Sequence, residues 1–156
     1  MPDLITHSLF IYPAKKWFPK GILFLLLGSI LPDLLGRALG VFISDSPMIG
    51  WYQTVIHTPL ALFLFIYSFS FFFPEKERKK VFLFLVLGTA SHLFLDLFQK
   101  TIGLGYLWFF PFSFKSFQIP LIWPDDTICL IPILLLLNII FFKLVYKKWG
   151  KNEFLS

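Results

Sequence analysis

The sequence predicts an all-α fold: a polytopic membrane helix bundle with four spanning helices and a short N-terminal helix, forming one domain over residues 1–156. Three observations predict it. Of the residues, 57% are hydrophobic and 22 are phenylalanine, and the mean hydropathy is +0.77, more apolar surface than a soluble domain of this size can hide. The stretch 46–74 contains no Asp, Glu, Lys or Arg, and roughly 20 apolar residues suffice to cross a bilayer core. Eleven of the fourteen basic residues fall in three clusters, Lys15 to Lys20, Lys76 to Lys80 and Lys143 to Lys151, each beside an apolar run.

That placement answers the question raised by a net charge of +5. Basic residues confined to the ends of apolar runs mark loops and tails retained in the cytoplasm, and they argue against a nucleic-acid partner. Both termini are therefore expected inside. The N-terminus lacks the basic region, uninterrupted apolar core and cleavage site of a signal peptide, so Met1 is expected to stay.

Residues 1–14 are apolar but too short to cross, reaching about 20 Å at about 1.5 Å per residue. They suit either a helix entering the bundle or one lying flat on the surface. Spanning segments follow at 21–43, 50–73, 80–100 and 125–146, with Pro74 to Lys80 read as an inner loop. Between the last two, residues 101–124 are rich in Gly, Pro and aromatics, which reads as a lid or interfacial loop. Pro124, Asp125 and Asp126 suit the start of the last helix, where proline fits the first turn and acids meet the positive dipole end. The single cysteine, Cys129, cannot form an internal disulfide and reads as apolar packing.

The costly polar residues of these apolar segments are mostly of metal-ligand type: His7, Asp33, His57, His92 and Asp96. Counting from the inner end of each span puts Asp33 and His92 at about 18 Å and Asp96 at about 24 Å. Counted from the outer end, His57 lies about 20 Å from the inner surface of a core about 30 Å thick. Three helices thus deliver polar groups to one layer. His7, about 12 Å above Lys15, comes within side-chain reach but fits that layer least well.

His92 and Asp96 are four apart and project from one helical face, the spacing at which paired histidines grip zinc in metalloproteases. Each residue also has a structural account. An intramembrane histidine can simply hydrogen-bond to a neighbouring helix, and Asp33 can pair with Arg37 on the same face. Asp96 can be hydrated near the outer interface. Explaining all five separately at matching depths is harder than one shared polar site. The hydroxyls of Thr6, Thr58 and Ser91 are candidate partners for the imidazoles, although Ser and Thr also serve at helix contacts in membranes.

The elements TH at 6–7, LPD at 31–33, IHTPLA at 56–61, GTASHLFLD at 88–96 and WFFPF at 108–112 resemble those of the membrane-bound metal-dependent hydrolase family. These are small multi-span proteins of the bacterial inner membrane that include LexA-regulated, YdjM-like members. The resemblance covers residues 3–125. It implies that His7, Asp33, His57, His92 and Asp96 form a divalent metal site, with zinc the expected ion. Two positions depart from the family pattern: Leu35 stands where a second acid is common, and Gln53 where a further histidine is frequent. A reduced ligand set means either one metal in place of two or a changed activity. The opening PDLITH is also similar to the start of some zinc-dependent phospholipase C relatives, which points towards phosphoesters.

The expected activity is hydrolysis of a membrane lipid or amphipathic substrate by metal-activated water. His7, His57 and His92 would be nitrogen ligands and Asp33 and Asp96 oxygen ligands, with one carboxylate available to take the water's proton. Arg37, one turn outward from Asp33, is a candidate for steadying an anionic headgroup. The same His and Asp set also suits a small oligomeric transporter, or an accessory subunit with buried hydrogen bonds and no metal. No nucleotide loop, serine nucleophile elbow or haem attachment signature is present.

Overall fold

The computed structural model describes residues 4–40, 47–100 and 105–152. Among the described residues there are six helices: α1 (Leu4–Ile11), α2 (Ile22–Gly40), α3 (Pro47–Ile56), α4 (Pro59–Ser70), α5 (Glu75–Leu97) and α6 (Leu130–Asn152), with 3-10 turns at Tyr12–Lys16 and Pro124–Cys129. Among the described residues, two helical stretches are long and apolar enough to cross a membrane, Glu75–Leu97 and Asp126–Val145. A third candidate arises if α3 and α4, bent by 71° at their junction, count as one span. Four spans were expected, and the described part of α2 that is apolar, Ile22–Gly36, falls short of spanning length.

The break in the second expected span is written in residues 57–59. Pro59 lacks a backbone N–H and pushes its predecessor out of helical geometry, so Thr58 takes extended angles of φ −88° and ψ 145°. Its hydroxyl then caps the new helix by accepting from the Ala61 N–H at 3.3 Å. His57 therefore stands at a chain break, where side chains reach places that no continuous helix face offers.

A second proline, Pro32, sits inside α2 and can give no N–H to the Gly28 carbonyl one turn back. The hydroxyl of Thr89 on α5 donates to that carbonyl instead, at 3.1 Å. Close approach of the two helices makes this possible. A Cβ on Gly88 would collide with the Leu25 carbonyl, and one on Gly28 with the Leu85 carbonyl, as at small-residue helix crossings in membranes. Around the crossing, Leu31, Ile66, Val81 and Leu85 form the buried core.

The basic residues 76–80 belong to the first turns of α5 rather than to a loop, with Glu75 and Glu77 at its positive dipole end. The last helical stretch does begin at Pro124, but its first six residues wind as 3-10 and no side chain caps it. Cys129 is exposed rather than packed. Helix α6 turns Ile133, Leu136, Leu137 and Ile140 outward, a face that suits lipid and not water. The segment from Gly105 to Trp123 contains no helix. Gly105 enters it at φ 73°, a left-handed conformation that favours glycine.

Helix α1 enters the bundle. Thr6 and His7 are buried, and Asn138 on α6 donates to the Leu9 carbonyl at 3.0 Å. The flat surface helix considered from spacing is not what forms.

A candidate metal centre

Side chains from α1, α2, α5 and the α3–α4 break converge at one buried place. His7, Asp33, His92 and Asp96 are 0% exposed and His57 4%. The His7 and His92 rings stack with centroids 3.8 Å apart, and the His57 ring lies 5.8 Å from that of His92. Nitrogen meets carboxylate at three points: His92 Nε2 to Asp96 Oδ2 at 3.3 Å, His57 Nε2 to Asp33 Oδ1 at 3.5 Å, and His7 Nε2 to Asp96 Oδ1 at 3.7 Å.

Two of the imidazoles are fixed from behind. His92 Nδ1 donates to the Ser29 carbonyl of α2 at 2.7 Å, and His57 Nδ1 donates to the Gln53 carbonyl at 2.8 Å. A carbonyl can only accept, so Nδ1 carries a proton and Nε2 is the nitrogen turned inward; in the neutral ring that nitrogen offers a lone pair. Ring orientation set by a backbone carbonyl is the outer support that metal-binding histidines have.

The inward atoms then pose an electrostatic question. His57 Nε2, His92 Nε2 and all four oxygens of Asp33 and Asp96 are buried without a hydrogen-bond partner. Lone pairs facing carboxylate oxygens repel unless a proton or a cation lies between them, and a buried unpaired carboxylate costs several kcal/mol. The donor set fits a divalent cation. Two triads, His7 with His92 and Asp96, and Asp33 with His57 and His92, each bring their ligand atoms within 4.8 Å of one another. His92 is common to both, and with Nδ1 already engaged it has a single nitrogen to offer.

All five sequence candidates are thus brought together, including His7, whose depth fitted least well. The side chain of Arg37 lies outside the described residues. Gln53 donates to the Gly36 carbonyl at 3.4 Å, and Leu35 packs against the core. The hydroxyls of Thr58 and Ser91 bond carbonyls of their own segments, Val55 at 2.8 Å and Gly88 at 2.6 Å, rather than the imidazoles.

Two contributors escape sequence reading. Gly36 lets the His57 ring lie against α2, since a Cβ there would stand 2.9 Å from His57 Cε1. Tyr106, 7% exposed, is buried near Asp96 in the segment after α5. Burial first, and then the negative charge of Asp96, push its phenol above the ordinary tyrosine range, so the hydroxyl keeps its proton.

Among known proteins, no curated protein and no solved structure matches the chain. A family model described as "YdjM inner membrane protein" matches residues 4–155, spanning α1 through α6 and every residue of the His and Asp cluster. The chain belongs to the YdjM inner membrane protein family.

Proposed function

We propose that the chain is a membrane-embedded metal-dependent hydrolase acting on a lipid or amphipathic substrate, with phosphoesters the first class to test. The observation that carries this reading is the pair of triads sharing His92, buried and composed only of imidazole and carboxylate. A nitrogen-rich set of this kind favours zinc. When bound, such an ion supplies Lewis acidity, polarising a scissile carbonyl or phosphoryl group and acidifying water.

His7, His57 and His92 would hold the ion through nitrogen. The carbonyls of Ser29 and Gln53 keep two of these rings from rotating. Of Asp33 and Asp96, the carboxylate not engaged as a ligand would accept the proton of the attacking water, and burial excludes competing solvent. Arg37 stands one helical turn from Asp33 and would steady an anionic headgroup. Beside the site an open apolar groove of about 660 Å³ runs past Pro59, Leu97, Trp108 and Phe110. Pro59 is two residues from His57 and Leu97 adjoins Asp96, so an apolar tail in the groove would bring its headgroup to the cluster.

The arrangement in the membrane follows from the charge clusters: crossings by α2, the broken α3–α4 pair, α5 and α6, with both termini cytoplasmic. The decisive experiment is element-resolved metal content of purified protein against a His92→Ala/Asp96→Ala variant, followed by phosphodiester and carboxylester turnover in detergent micelles. Stoichiometric zinc in the intact chain alone, with turnover needing no gradient, is the expected result. Equal metal content in both would end the reading, and metal without gradient-free turnover would favour a transporter.

A further inference from the structure

A second open groove, of about 570 Å³, runs between α1 and α6 and is lined by none of the five cluster residues. Leu135, Ile139, Phe142 and Lys143 form its α6 wall, recurring at the four- and three-residue steps of one helix face. Leu9 and Tyr12 form the opposite wall. From Leu135 to Lys143 the α6 wall rises about 12 Å. The Leu135 end is aliphatic, and the other end carries an ammonium.

Specific contacts hold the walls in place. Pro13 has no N–H to return to the Leu9 carbonyl one turn back. Asn138, 7% exposed, supplies that donor from α6 at 3.0 Å while also donating to its own helix at the Leu134 carbonyl, 2.8 Å away. Further along, the Tyr12 ring meets Phe142 edge-on with centroids 5.6 Å apart. A hydrogen bond and a ring contact thus fix the groove at two levels.

Two cations meet at the Tyr12 end. Lys15 Nζ donates to the Tyr12 hydroxyl at 3.3 Å and lies 5.5 Å from its ring centroid, and Lys143 lines the groove itself. Among the described residues, no carboxylate lines the groove and no salt bridge engages either lysine. A slot that is apolar along its length and cationic at one rim complements an acyl chain joined to a negatively charged headgroup. Both lysines belong to the basic clusters that flank apolar runs, so this rim faces the anionic surface of the inner leaflet. A second copy of the chain suits the groove less well, because two-fold pairing of this face sets lysine against lysine with no acid between.

We propose that the α1–α6 groove binds an anionic phospholipid of the inner leaflet, one acyl chain lying along Leu135 and Ile139 and the phosphate received by Lys15 and Lys143. The lipid braces α1, the helix that carries His7, against α6. Its leaflet rests on the membrane arrangement proposed above; the groove and its charge do not, and neither depends on hydrolysis.

The test uses the full chain in detergent micelles with a chelator present, its melting temperature followed as phosphatidylglycerol or phosphatidylcholine is added. Phosphatidylglycerol should raise the melting temperature by several degrees and phosphatidylcholine by much less. Lys15→Gln/Lys143→Gln should weaken the apparent affinity for phosphatidylglycerol about 30-fold. Lys79→Gln/Lys80→Gln, an equal loss of charge elsewhere, should leave it near wild type. Ile139→Trp, which fills the apolar part, should also remove the shift, whereas Leu60→Trp in the groove beside the metal centre should not. Lys15, Lys143 and Ile139 are exposed, and circular dichroism checks that each variant keeps its helix content. Equal shifts with both lipids, an equal loss in Lys79→Gln/Lys80→Gln, or a shift that survives Ile139→Trp would overturn the site. So would a dimer, seen by light scattering, that Ile139→Trp dissociates.

Discussion

Gly28 and Gly88 face each other where α2 crosses α5, and neither leaves room for a methyl group: a Cβ on Gly88 would stand 2.9 Å from Gly28 Cα. The crossing sets the distance from the Ser29 carbonyl to His92 and so governs the centre. Gly88→Val should force the helices apart at a cost of about 1–3 kcal/mol, seen as a lower melting temperature. Metal affinity should fall with it. A variant melting like wild type would show that the crossing tolerates bulk.

Gly36→Ala offers a narrower perturbation. Its methyl group would stand 2.9 Å from His57 Cε1, so the ring must move away from Asp33 while the rest of α2 is undisturbed. Zinc affinity should drop while helix content and melting temperature stay near wild type, since Ala favours helix over Gly by about 1 kcal/mol. Wild-type affinity in this variant would place His57 outside the centre.

The shared position of His92 ranks the ligand substitutions. His92→Ala breaks both triads, whereas His7→Ala and Asp33→Asn each leave one intact. The loss of metal affinity should be largest for His92→Ala, beyond the roughly 10–100-fold typical of losing an outer-shell partner. Isothermal titration of the three variants checks the order, and equal losses would count against a shared ligand.

The raised phenol of Tyr106 predicts an alkaline signature. A group whose folded pKa exceeds its unfolded value of about 10 contributes stability that is complete below that value. The contribution is lost as pH climbs towards the folded value, by at most ~1.4 kcal/mol per pH unit. Melting curves between pH 9 and 11 should fall more steeply for wild type than for Tyr106→Phe. Parallel curves would show that the hydroxyl is not sequestered.

The five cluster residues were legible because ionisable groups in apolar segments are expensive and helical rise converts sequence position into depth. His7, Asp33, His57, His92 and Asp96 could be assigned to a common layer before any contact was known. What hid was whatever acts through backbone or through absence. Nothing in a depth count reveals that Gly36 makes room for His57, or that the Ser29 carbonyl orients His92. The dipeptide Thr58-Pro59 carried the break in the second span, but a charge-free run of the right length read as one continuous crossing. Tyr106 lay in a segment recognisable only as aromatic and irregular, where no periodicity assigns a direction to a side chain.

Pro32 leaves the Gly28 carbonyl without its own helix's donor, and Thr89 supplies one from the neighbouring helix. Sliding α5 by a single residue would swing that hydroxyl about 100° around its axis and strand an acceptor where no water can replace it. An imperfection in one rod therefore works as a detent for the other. Axial register, and with it the level at which the imidazoles meet the acids, is clicked into a single notch by one hydroxyl.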